Sequence, residues 1–339
     1  MALPSRSTAD RPRGAGLSGV RSYLGCLLLG AAACAPAGGG ERPALGRLAF
    51  VAAGPCQVSG VVDCRTWNAL LVDRYEVTRG AWIEAMRSSG SGEFDLPGAF
   101  QDDWTEATWR WPASGMDLEQ ARTFAQRQGM RLPTVTEWMR IGAGTRGQGW
   151  PWGVVDQDSA ANTLGLGLRR PAPVGSFANG DTNEGVSDMI GNVAEWVEAP
   201  LPVYTVFGPV VGAPARSGAV VPSRASGGTR AHFEHWAMGG SFNDHRQALH
   251  YFGRDGMHFN ARDLAAGHRS NLVGLRCVAN AGEYLWEHAE DWSRDEMHGE
   301  VRAVGRAWGL PAVGLLEKLA GRPGAPAGLR WLLAGARGE

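Results

Sequence analysis

One run of ten residues constrains this chain more than any other: Ser187-Asp188-Met189-Ile190-Gly191-Asn192-Val193-Ala194-Glu195-Trp196. Two carboxylates, Asp188 and Glu195, bracket a Gly-Asn turn, so side-chain and backbone oxygens can converge on one point. A hard cation such as calcium takes an all-oxygen cage of that kind. The same carboxylates can instead simply cap and brace the turn, and the residues alone leave both readings open.

The material around that run is unusual. The 49 glycines are about twice the usual ~7% frequency. With 14 tryptophans, they point to a core of large aromatic plates joined by long, turn-rich segments, with sparse regular secondary structure. A chain of 339 residues holds one large domain or two smaller ones. Charge is balanced, 33 basic against 34 acidic residues, which leaves no electrostatic footprint for nucleic acid.

The N-terminus reads as an export signal. Arg6, Arg11, Arg13 and Arg21 precede an apolar run from Leu24 to Ala33, shorter than the roughly 20 residues a membrane span needs. Ala31-Ala32-Ala33 before Cys34 resembles a bacterial lipobox, although Ala31 stands where Leu is usual. An ordinary cleaved signal with an incidental Cys is the alternative. On the lipoprotein reading Cys34 carries the lipid anchor and residues 34–47 are a flexible Gly-rich tether. Either reading removes residues 1–33 from the fold. Beyond Cys34, three cysteines then remain, Cys56, Cys64 and Cys277. Spacing allows a Cys56–Cys64 disulfide in an oxidising compartment, which leaves Cys277 over.

Along the chain, loosely alternating apolar residues over 48–77 supply the first strands. Thr78 N-caps a helix with Trp82 and Met86 on one face, and 88–112 is a loop containing Trp104, Trp109 and Trp111. Asp117 caps a second helix that buries Leu118, Ala121, Phe124 and Ala125, and Gly129 stops it. Thr134 and Glu137 have capping-box spacing for a third helix. Gly142–Gly147 matches G-x-G-x-x-G, but a helix precedes it where a nucleotide site needs a strand. Residues 198–236 form an inserted surface loop. From 281 to 339 the composition shifts: Met297, Val301, Val304 and Trp308 recur at helical spacing, and "LRWLLAGA" follows a Pro/Gly break. This C-terminal helical extension reads as a cap packed on the domain rather than a partner-binding arm.

Seven phrases in order resemble the formylglycine-generating enzyme (sulfatase-modifying factor) family. They are "VDRYEVTRGAW" (Val72–Trp82), "RLPTVTEWMRIGAG" (Arg131–Gly144), "WPWG" (Trp150–Gly153), "PVGSF" (Pro173–Phe177), "DMIGNVAEW" (Asp188–Trp196), "MGGSF" (Met238–Phe242) and "VGLRC" (Val273–Cys277). The resemblance implies an α+β domain over 48–280, similar to the C-type lectin arrangement, with little regular structure and a Trp-rich core. It also implies calcium held by side chains at Asp188 and Glu195 and carbonyls at Gly191 and Val193. A second family ion site begins at the position of Asn162. Here the stretch after it carries Arg169 and Arg170 instead of an acid, so that ion is not expected.

The family's chemistry uses a pair of cysteine thiolates shortly after its Gly-Gly-Ser motif, because soft sulfur selects Cu(I). Counting from Gly239-Gly240-Ser241, the matching positions are Asp244 and Leu249. Copper and formylglycine formation are therefore not expected. The relatives' partner for Cys277 matches Ala125, which makes Cys277 a buried, unpaired thiol. The cleft candidates are Asp244, His245, Arg246 and His250. Two imidazoles and a carboxylate suit iron or another borderline metal; as polar cleft lining they share no focus. Arg246, Arg254, Arg262 and Arg269 suit an anionic ligand better than a cation. Two functions follow: an exported ligand-binding or accessory envelope protein with an unidentified ligand or protein partner, or a divergent metal-dependent oxidase or formylglycine generator. No nucleophile elbow, P-loop, HExxH or CxxC pair supports another chemistry.

Overall fold

The computed structural model describes residues 45–55, 57–58, 62–63, 65–89, 104–145, 149–198, 235–245, 262–265 and 267–339. The expected residues Cys34, Cys56, Cys64, Arg246 and His250 lie outside them, as does most of the 198–236 insert. In chain order the elements are β1 (Leu48–Val51), β2 (Gln57–Val58), β3 (Val62–Asp63), β4 (Leu70–Asp73), α1 (Arg79–Ser89), α2 (Leu118–Arg127) and α3 (Val135–Ala143). Then come β5 (Ala194–Val197), β6 (Trp236–Met238), β7 (Arg262–Asp263), β8 (Val273–Gly274), β9 (Val278–Asn280), α4 (Ala281–His288), α5 (His298–Trp308), α6 (Leu310–Ala320) and α7 (Ala327–Arg337). Helices and short strands mix without a βαβ rhythm, which is an α+β arrangement.

Two sheets organise the domain. The first has the order β1-β4-β9 and is antiparallel throughout, so the end of the domain pairs beside its beginning. The second has the order β7-β6-β5-β8, with β5 and β8 parallel. A separate hairpin pairs Gln57 with Asp63 and Val58 with Val62.

Side-chain alternation along β1 and β4 divides the interior in two. Leu48, Phe50 and Leu71 point into one apolar cluster, shared with α1, α2 and the C-terminal helices. Ala49, Val51, Leu70 and Val72 point into the other, with Trp138, Met139, Trp236 and Met238. A strand covered on both faces reads as a continuous apolar run, which is what LAFV and LLVD are. Trp82, Trp138, Trp196 and Trp236 are among the largest fully buried side chains.

The helix starts follow local chemistry. The Thr78 hydroxyl accepts from Ala81 N at 3.2 Å, and Asp117 accepts from Gln120 N at 2.9 Å. Thr134 and Glu137 form the reciprocal box, at 3.2 and 2.9 Å. Gly129 leaves α2 at φ +68°. The G-x-G-x-x-G match begins inside α3, so no strand precedes it.

The segment after 281 has no core of its own. Val301, Val304 and Trp308 of α5 join the cluster of β1 and α2, and Trp308 Nε1 donates to Leu48 O at 3.0 Å. Gly305 and Gly335 let α5 and α7 approach: a Cβ on either would lie 2.1 Å from a backbone carbonyl of the other helix. No helix among the described residues is long and apolar enough to cross a membrane. Trp308→Ala should lower stability by about 3–5 kcal/mol, the usual result of emptying a large buried aromatic site. Because cap and domain share one cluster, denaturant unfolding followed by tryptophan fluorescence and by far-UV circular dichroism should give one coincident transition. Two separated transitions would show that the cap folds independently.

Candidate functional site

The Asp188–Glu195 run lies where the two sheets meet, and its centre is a buried arginine. Arg276 sits between β8 and β9 and is fully buried. Its Nε and Nη2 bind Glu195, the shortest contact being 2.6 Å. Nη1 donates to Asp73 O of β4 at 2.8 Å, and Nη2 also donates to Ser187 O at 2.8 Å. One guanidinium thus joins both sheets and the loop that opens the run. Glu195 takes a further hydrogen bond from Trp138 Nε1 of α3, at 2.8 Å.

Asn192 is the second hub. Its Oδ1 accepts from Asn162 Nδ2 at 3.0 Å and Ala172 N at 2.9 Å. Its Nδ2 donates to Glu76 Oε2 at 2.6 Å, while Val193 N donates to the other Glu76 oxygen at 3.0 Å. The β4–α1 connection and two points of the long α3–β5 connection therefore close on one amide side chain. The turn needs left-handed backbone at Asp188, Gly191 and Asn192, with φ of 58°, 77° and 54°. Asp and Asn tolerate it better than most residues. Gly191 is required for a further reason: a Cβ there would lie 2.3 Å from Asn162 O.

Three buried carboxylates, Glu76, Asp188 and Glu195, thus surround the buried Arg276. Burial pushes Glu76 well above the usual carboxylate range, with Asp188 and Glu195 adding to the effect and Arg276 opposing it. Burial also raises Asp188 to about 6, against the hydrogen bond from Gly175 N and the charge of Arg276. For calcium, the four expected residues divide by chemistry. Glu195 already has a cation and an indole N–H as partners, so it fits a role as counter-ion to Arg276. Asp188 is the under-neutralised buried carboxylate, and a hard cation fits there.

The cleft candidates serve the fold where they are described. Asp244 Oδ2 accepts from Ser241 N at 2.8 Å and from Ser241 Oγ at 2.7 Å. Its carbonyl accepts from Leu164 N at 2.9 Å. Asp244 thereby closes the Gly-Gly-Ser turn, a local Ser-x-x-Asp spacing that the sequence reading passed over. His245 is exposed. Among the described residues no three His, Cys, Asp or Glu side chains form a metal-binding group. Cys277 is buried, and burial together with Asp73 pushes its thiol well above the ordinary range. Glu76, Arg276, Asn192 and Trp138 were missed as site residues, although each lies in a quoted phrase. The available signal was a charge set inside an apolar run, as in Val273-Gly274-Leu275-Arg276-Cys277-Val278.

Asp188 gives a pH dependence whose sign is fixed. Its folded value lies above the unfolded one, so the folded state holds the proton more tightly. The stability it contributes is present below pH ~4 and is lost as pH rises through ~6. That amounts to roughly 3 kcal/mol over about two units. Denaturant midpoints of the wild type minus Asp188→Asn, measured in chelator between pH 4 and 6, should show this fall. A flat difference curve would mean the carboxylate is well compensated. Arg276→Met should cost about 3–5 kcal/mol by stranding Glu195, and Arg276→Met with Glu195→Gln should recover part of it.

The profile of the sulfatase-modifying factor enzyme 1-like domain matches residues 45–281. Hercynine oxygenase of Mycolicibacterium smegmatis is 35% identical over 105 residues, 30% of this chain and 24% of that protein. The chain thus spans about a quarter of the length of this relative. Uncharacterized protein YfmG of Bacillus subtilis is 26% identical over 198 residues, 51% of this chain and 36% of that one. Among solved structures, CarF aligns with a TM-score of 0.48 and 18% identity, over 69% of this chain and 97% of that one. With the profile covering well over half of its residues, the chain belongs to the sulfatase-modifying factor enzyme 1-like family.

Proposed function

We propose that this chain is an exported ligand-binding or accessory member of its family that does not form formylglycine. The observation that supports this reading best is Asp244. It stands at the position of the first expected thiolate, and its carboxylate holds the Gly-Gly-Ser turn through both groups of Ser241. The described thiol, Cys277, is buried and protonated rather than poised as a copper ligand. Export with lipid attachment at Cys34 rests on the N-terminal sequence pattern alone. The C-type lectin-like arrangement with a Trp-rich core is part of the same proposal, supported by short strands and long polar loops. Calcium would be held by Asp188 with carbonyls of Gly191 and Val193, while Glu195 neutralises Arg276. When bound it supplies a structural crosslink and keeps Asp188 ionised.

The hercynine oxygenase relatives favour a second reading, an oxygen-using enzyme with a metal at His245, His250 and Asp244. Two measurements separate the readings. A sulfatase-type cysteine peptide incubated with the protein and copper should keep its thiol mass; aldehyde formation overturns the first reading. Iron in the purified protein that is lost from His245→Ala and His250→Ala, with oxygen uptake, would establish the second. Calcium should raise the melting temperature of the wild type and leave that of Asp188→Asn unchanged. Equal responses would remove Asp188 as the ligand.

A further inference from the structure

Outside the buried site, one face collects arginines on indole rings. Arg79 of α1 lies 5.3 Å from the centroid of Trp104 and 5.2 Å from that of Trp111. Arg170 lies 5.4 Å from the same Trp111 ring, and Arg87 lies 5.9 Å from Trp109. Backbone hydrogen bonds tie the supporting segments together: Arg79 N to Trp111 O at 2.8 Å, Gly80 N to Trp109 O at 2.9 Å and Val174 N to Arg110 O at 2.9 Å. The loop that carries Arg169 and Arg170 is anchored inward by Asn162 Nδ2 to Arg170 O at 3.0 Å. The face is therefore a platform held from below.

Among the described residues its charge is not balanced by ion pairs. Arg110, Arg169 and Arg170 are exposed, and with Arg87 they form no ion pair among the described residues. The acids on the same segments, Glu84 and Glu106, form none with them either. This surplus stands on a chain whose net charge is only −1. Arg169 has φ +54°, a strained conformation for a residue that is neither Gly, Asn nor Asp. A guanidinium stacked on an indole keeps its N–H edge free, and that planar fork matches a carboxylate.

We propose that this face docks an acidic polypeptide segment of a partner protein. Arg87, Arg110, Arg169 and Arg170 take its carboxylates, and the exposed indole of Trp109 takes an apolar side chain between them. A single small oxyanion would need donors converging on one point. These cations are instead distributed over three chain segments, each with its own support, which suits several carboxylates in a row. The surface stands whether or not the cleft is catalytic, so its test is independent of the previous one.

Fluorescence anisotropy of a labelled peptide alternating glutamate and phenylalanine, titrated with the whole chain, measures the contact. Binding should weaken about tenfold or more in Arg110→Ser/Arg170→Ser and fall steeply with added salt. Arg170→Lys should lie between, because it keeps the charge and loses the fork. Unchanged melting temperatures would show that the variants fold, as expected for exposed positions. Equal affinity of wild type and double variant, or no binding by the wild type, overturns the proposal. It is equally overturned if the chain ignores the peptide and binds phosphatidylserine vesicles, which would make the face a membrane surface.

Discussion

Everything central to this fold passes through the contact of Arg276 with Glu195. A guanidinium and a carboxylate removed from water each lose several kcal/mol of hydration, which their attraction recovers only with good geometry and satisfied hydrogen bonds. Both conditions are met: Arg276 reaches Glu195, Asp73 O and Ser187 O, and Trp138 closes the remaining side of Glu195. These partners come from β4, the 187–193 loop, β5 and α3. The pair is therefore a register pin for the two sheets more than a source of net stability. Replacing a buried ion pair with well-packed apolar residues is often neutral or stabilising, but here it would also unfix where the sheets meet.

That pin explains why regular structure can be so short. Strands of two to four residues offer too few ladder hydrogen bonds to define a sheet alone. What holds them is covering on both faces and a polar network that admits one arrangement. Asn192 fixes the loops that flank the strands by using both ends of its amide. The helical cap then covers β1 from the side the network does not reach.

How much was legible follows from sequence distance. Helix starts at Thr78, Asp117 and Thr134 were readable because each cap lies within three residues of its partner. The oxygen-rich turn was readable too, since Gly191-Asn192 and its flanking carboxylates are contiguous. Their partners were not: Arg276 lies 81 residues from Glu195, and Glu76 lies 116 from Asn192. Nothing local says which distant charge will arrive. Glu195 is expected from the sequence to hold calcium because a carboxylate in an apolar strand requires some cation, and Arg276 is a partner that expectation did not include. Asp244 is the opposite case, a local Ser-x-x-Asp cap legible within three residues, where the sequence was read only for cleft lining or a metal.

The two charge arrangements in this molecule also limit each other. The interior carries more carboxylate than guanidinium, with Asp188 raised to about 6, while the exposed arginines of the outer face form no ion pair among the described residues. The two meet at one loop: Asn162 holds Asn192 on its inner side and the carbonyl of Arg170 on its outer side. An ion at Asp188 would act on the segment after Arg170 through Gly175 N, which donates to Asp188 Oδ2 at 2.7 Å. Coupling of that kind needs no moving part, only a backbone N–H held by a buried carboxylate.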